Sequence, residues 1–170
     1  NHSHINKYYL RYLDFFKKDY FKIGPKLTKN DYVINLGDFG LPFNQEITIR
    51  ENESLNWLNN QKWTTLVVDG NHENFDHFDN FETVSFGNSE AGKIRDSIFH
   101  LRRGNIYDLN GYKCLTFGGA DSIDKRSRIP GISWWPREIA SFKETEHAID
   151  TLIENNWHVD FVFTHTGPTT

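Results

Sequence analysis

The sequence predicts a layered α/β domain with helices outside a sheet, on three observations. Short, fully apolar strands alternate with stretches of helical spacing, a pattern of strands covered on both faces. A length of 170 residues suits one core, so residues 1–170 are read as a single domain. Apolar residues make up 37% and charged residues 25%, a balance that excludes a disordered chain.

The elements follow in order. Ile5, Tyr9, Tyr12, Leu13, Phe16 and Tyr20 recur at helical spacing, so 4–20 reads as an amphipathic helix that Gly24-Pro25 ends. Tyr32 to Leu36 is a short apolar run closed by Gly37, a buried strand. Residues 46–60, with Ile47, Leu55, Trp57 and Leu58, read as a weaker helix, and Trp63 to Val68 as a second buried strand. Residues 98–118 read as hairpins, with turns at Gly104-Asn105 and Asn110-Gly111. Pro136 suits a first helical position, and Ser141 with Glu144 forms a capping box ahead of Ala148, Ile149, Leu152 and Ile153. Phe161-Val162-Phe163 reads as a third buried strand.

Composition narrows the function classes. A net charge of −4 gives no basic bias toward nucleic acid, which stays possible but not favoured. No run approaches a membrane span and no signal peptide is visible. The single Cys114 excludes an internal disulfide, so the expected compartment is the cytoplasm. Cys114 alternates within a strand and reads as a small buried residue rather than a nucleophile. Met is absent: either the natural start lies upstream of Asn1, or methionines were present in a modified form.

In layered α/β folds ligands bind beyond the carboxyl ends of strands. There the sequence places Gly37-Asp38, then Asp69-Gly70-Asn71-His72-Glu73, then Thr164-His165-Thr166-Gly167-Pro168. Each piece alone is an ordinary turn or a structural histidine. Together they bring a carboxylate, an amide oxygen and an imidazole to what is expected to be one sheet edge. Such mixed oxygen and nitrogen donors suit Mn, with Fe or Zn as alternatives.

Gly37-Asp38, Gly70-Asn71-His72-Glu73 and Thr164-His165 with the nearby Pro168 resemble three blocks of the calcineurin-like metallophosphoesterase family, in its order and strand placement. The likeness covers almost the whole chain. The family's Asp-x-His and Gly-His-x-His blocks are missing and would fall before Asn1 and after Thr170. His2 and His4 are read as disordered or capping residues, not as a replacement.

The resemblance implies a four-layer α/β/β/α sandwich, truncated here at both ends, and hydrolysis of a phosphate ester by two divalent metal ions. By it, Asp38 bridges both ions, Asn71 and His165 bind the second, and His72 protonates the leaving group as general acid. Glu73 either orients His72 or caps a helix near Phe75. The segment as it stands is expected to bind metal weakly and turn over little. The alternatives are a phosphodiesterase or nuclease of the same fold, or a metal-free scaffold.

Arg126 and Arg128, in the loop after Gly118-Gly119-Ala120, are candidates for contacting substrate phosphate, since guanidinium matches phosphate geometry. That loop and Ser133-Trp134-Trp135-Pro136 also resemble a bacterial and phage subgroup of the family. Trp134 and Trp135 are read as core. Lys93, Arg95, Arg102 and Arg103 make a thin basic cluster, too sparse for a nucleic-acid groove.

Overall fold

The computed structural model describes residues 24–167. The helix expected over 4–20, His2, His4 and Pro168 lie outside them.

Among the described residues the chain is mixed α/β with two sheets. The first has five strands: β1 (Tyr32–Leu36), β2 (Thr64–Val68), β3 (Glu82–Phe86), β4 (Ser89–Arg95) and β5 (Ile98–Leu101), in the order β1-β2-β5-β4-β3. β1, β2 and β5 run parallel; β4 is antiparallel to β5 and to β3. The second sheet has the order β6-β7-β8, from β6 (Ile106–Leu109), β7 (Tyr112–Phe117) and β8 (Phe161–Thr164), with β8 parallel to β7. The helices are α1 (Ile49–Asn59), α2 (Phe75–Phe78) and α3 (Phe142–Glu154).

Among the described residues two large clusters of side chains hold these layers, beside a small one at Val33 and Trp63. Leu55 and Leu58 of α1 and Phe75 and Phe78 of α2 pack with Val67, Ile94, Ile98 and Trp135 on one face of the first sheet. On its other face, Leu66, Ala91 and Leu101 meet Tyr107, Leu109 and Cys114 of the second sheet, with Ile34, Phe99 and Phe163 against them. Tyr107 and Leu66 are fully buried, and each such side chain contributes about 1.5–3 kcal/mol. Cys114 belongs to this core, and burial pushes its thiol pKa up, as its reading as a packing residue requires. Among the described residues no helix is long and apolar enough to cross a membrane.

The sequence reading holds for β2, α1 and α3; β1 forms where expected but is not the buried strand read there, since only Val33 is buried and Leu36 is 47% exposed. Both longer helices carry capping boxes, Thr48 with Glu51 and the expected Ser141 with Glu144. Asn110 and Gly111, both at positive φ, close the β6–β7 hairpin, as a two-residue turn between twisted strands demands.

Three further readings need correction. Gly104-Asn105 does not close a hairpin: β5 lies in the first sheet and β6 in the second, so the chain crosses there between sheets. The third apolar strand is not buried: at one edge of its sheet, Phe161 is 49% and Val162 55% exposed. It also joins the second sheet, so the three strand ends come from two sheets rather than one edge.

Candidate functional site

The tips of β1, β2 and β8 nonetheless meet. Gly37 has φ +102°, and a Cβ there would fall 2.0 Å from His165 Nδ1. A Cβ on Gly70 would fall 2.2 Å from the Asp38 backbone nitrogen. Only glycine lets these backbones approach so closely. Asp38 itself has φ +53°, an uncommon conformation for a residue with a side chain.

Glu73 fixes that conformation. Its carboxylate accepts the backbone N–H of Phe39 (2.8 Å), Gly40 (2.9 Å) and Gly70 (3.1 Å), tying the loop after β1 to the loop after β2. Burial pushes its carboxyl up to about 8, against the downward pull of those three N–H groups. Neither role expected for Glu73 is seen: Asn74 caps α2, and the partners of Glu73 are backbone groups other than His72.

The predicted ligands converge. His165 Nε2 lies 2.9 Å from Asn71 Oδ1 and 3.5 Å from Asp38 Oδ1. Asp38 is exposed, while Asn71 and His165 are half-buried. His165 Nδ1 lies 2.7 Å from the Leu36 carbonyl oxygen, which only accepts, so Nδ1 carries the proton. In the neutral ring Nε2 is then a lone pair. The Asn71 amide nitrogen donates to Ser122 Oγ at 2.9 Å, which turns Oδ1 toward His165. A lone pair on nitrogen, an amide oxygen and a carboxylate oxygen thus face one another. That arrangement calls for a positive charge, either a second proton on the imidazole or a cation held among the three. The hydrogen bond from Nδ1 to a backbone carbonyl is the usual outer support of a metal-ligating histidine. The donor set fits a divalent ion. Among the described residues no group of three or more His, Cys, Asp or Glu side chains gathers at a possible metal position, and here an amide completes the set of three.

His72 lies beside this trio, its backbone N–H donating to Asp38 Oδ1 at 3.1 Å. The Arg128 guanidinium lies across its ring, in contact with Nδ1 and 2.8 Å from Nε2. Burial lowers the imidazole pKa and Arg128 adds to this, against the upward pull of Asp38, Asp124 and Glu138. A mostly neutral ring accepting from Arg128 follows. Arg128 is held by Asp124 (3.0 Å) and by the Ser133 carbonyl (3.1 Å). Of the two candidate arginines, the structure brings Arg128 to the site; Arg126 is exposed on the neighbouring 3-10 turn, Lys125–Ser127.

Residues missed from sequence stand behind this front. Asp69 is buried and accepts from Arg103 Nε at 2.8 Å and lies 3.2 Å from His100 Nε2. Burial opposes ionisation of Asp69, but His100 and Arg103 outweigh it and hold its carboxyl below the usual range. Gly118 and Gly119 wrap this pair: Cβ atoms there would fall 2.4 Å from the Asp69 carbonyl and 2.3 Å from that of Glu138. The Gly-Gly pair was the available signal. The four-residue basic cluster is dispersed: Lys93 pairs with Asp96, Arg95 with Asn52, Arg102 with Thr83, and Arg103 is buried on Asp69. Trp135 is core, as expected, with its indole N–H on Asp76.

A separate cavity of about 420 Å³ is lined by Asp69, His100, Arg102, Arg103, Arg137 and Glu144, and by none of the predicted site residues. Arg103 and Arg137 are engaged there by Asp69, Asp79 and Glu144, while among the described residues His100 Nδ1, Arg102 Nε and Arg103 Nη1 are buried without a hydrogen-bond partner. The chemistry-bearing cluster sits instead on an open rim. Comparison with known proteins finds no matching family model, no matching curated protein and no matching solved structure.

Proposed function

We propose that this chain is a metal-dependent phosphoesterase domain of the four-layer α/β/β/α kind, acting on a phosphate ester. The observation that carries the reading is the facing of His165 Nε2, Asn71 Oδ1 and Asp38 Oδ1, three electron-rich atoms around one point. These residues would hold a divalent cation, Mn by their donor types, and Asp38, the exposed member, would be shared with a second. Such ions neutralise phosphate charge and lower the pKa of bound water.

The chain's own groups supply the rest. Arg128 lies where it reaches both His72 and an incoming phosphate oxygen, and its fork geometry suits that anion. A phosphate drawing Arg128 away would leave the His72 ring free to carry a proton to the leaving oxygen. Gly37 and Gly70 let the His165 imidazole and the Asp38 backbone draw in close.

The test is Mn²⁺ titration followed by the EPR signal of free ion, with p-nitrophenyl phosphate and its bis ester as substrates. From the weak binding and low turnover expected of this segment, Asn71→Ala and His165→Ala are each expected to weaken binding about a further tenfold or more, and His72→Ala to remove the residual turnover while sparing metal. Equal Mn²⁺ binding by wild type and both ligand variants overturns the reading.

A further inference from the structure

We propose that Ser122, held by the buried Glu138, is the positioning residue that keeps the Asn71 amide oxygen turned toward His165. As a metal-site device this rests on the phosphoesterase reading; as a hydrogen-bond relay it stands on the geometry alone.

The relay can be traced proton by proton. Glu138 is fully buried. Its Oε1 accepts the Ser122 backbone N–H at 2.8 Å and its Oε2 accepts the Ser122 hydroxyl at 2.6 Å. The hydroxyl proton is thereby committed to the carboxylate, and Ser122 Oγ offers only lone pairs outward. It therefore takes a proton from Asn71, and the end of the amide that approaches at 2.9 Å is Nδ2. Oδ1, at the other end, faces His165.

The opposite orientation has its own attraction. With the amide rotated by half a turn, Nδ2–H would donate to the lone pair on His165 Nε2. That bond would remove the amide oxygen from the trio and occupy the imidazole nitrogen at once, closing the site. The amide therefore has two competing orientations, and Ser122, whose lone pairs would oppose the oxygen of the rotated amide, selects the open one. The selection is anchored in the core: the Glu138 backbone carbonyl accepts Ala120 N–H and Arg103 Nη2–H, each at 3.1 Å, and Arg103 is bound to Asp69 just before Gly70.

The experiment compares wild type, Ser122→Ala and Ser122→Thr, the last retaining a hydroxyl. In the metal-free, ¹⁵N-labelled chain, Ser122→Ala is expected to shift the Asn71 side-chain NH₂ signals and to move His165 Nε2 to the shift of a hydrogen-bond acceptor, while Ser122→Thr keeps the wild-type pattern. In parallel, Mn²⁺ affinity is expected to fall about 10–100-fold in Ser122→Ala and to recover in Ser122→Thr. Unchanged Asn71 and His165 signals in a folded Ser122→Ala chain overturn the relay, whatever the metal does. Wild type that binds no Mn²⁺ overturns the phosphoesterase reading and leaves the NMR comparison to decide the relay. Should Ser122→Ala unfold, Ser122→Cys, with a poor acceptor in place of oxygen, gives the same comparison.

Discussion

The imidazole of His165 occupies the space that a side chain on Gly37 would fill, with 2.0 Å between Nδ1 and the position of a Cβ. One residue's missing side chain is thus the other's seat, across two sheets.

Gly37→Ala should therefore displace His165 as well as strain the backbone at φ +102°. Gly40→Ala is the control, since Gly40 also has positive φ (+63°) but nothing lies within 4 Å of its Cβ position. Gly40→Ala is expected to cost only the local strain, about 1 kcal/mol, and to leave Mn²⁺ binding intact. Gly37→Ala should abolish that binding. Denaturant melts with Mn²⁺ titrations on both variants check the contrast, and equal behaviour would refute the steric account.

Glu73 is held as a buried acceptor of three backbone N–H groups, with its pKa raised to about 8 by burial. Glu73→Gln keeps a neutral acceptor and should be the milder change. Glu73→Ala orphans the N–H groups of Phe39, Gly40 and Gly70, at roughly 1–3 kcal/mol for each that water does not reach. Urea unfolding of the two variants should separate them by about 2 kcal/mol or more; a Glu73→Gln chain as unstable as Glu73→Ala would count against the ordering.

Glu51 supplies a pH dependence. Burial opposes its ionisation, but the N–H groups of Asn44, Thr48 and Phe43 and the Thr48 hydroxyl outweigh it and hold its carboxyl below the ordinary 4.5. The folded chain thus binds this proton less readily than the unfolded one. The stabilisation is complete above about pH 4.5 and is lost as pH falls through the lower, folded value. Glu51→Gln should lower stability at pH 7 and flatten the acid limb of a stability–pH curve; an unchanged slope below pH 4.5 would contradict this.

Much of the fold was legible because period and punctuation are local. Tyr32–Leu36 is apolar but for Asn35 and Thr64–Val68 ends in Leu66-Val67-Val68, and the turn pair Asn110-Gly111 stands where positive φ is needed. β3 and β4 escaped because they form a half-exposed hairpin of mixed polarity, Gly87-Asn88 being their one clear signal. Nothing in Phe161-Val162-Phe163 tells which sheet it joins, since an apolar run does not name its neighbour. The trio of Asp38, Asn71 and His165 was legible from residue type after each strand. The second rank was only partly so: Arg128 was named as a phosphate contact, but its meeting with His72 across 56 positions was not readable, and Ser122 and Glu138 are ordinary surface letters until the fold buries them.

The meeting of β1 and β2 tips with the tip of β8 gives the rim a mechanical meaning. Whatever lodges among side chains 38, 71 and 165 fastens one half of the sandwich to the other, like a clasp on a book. By mass action its occupancy should raise the melting temperature as its concentration rises. The traffic runs both ways: hollowing the seam at Leu66 or Tyr107 would loosen the clasp without touching it.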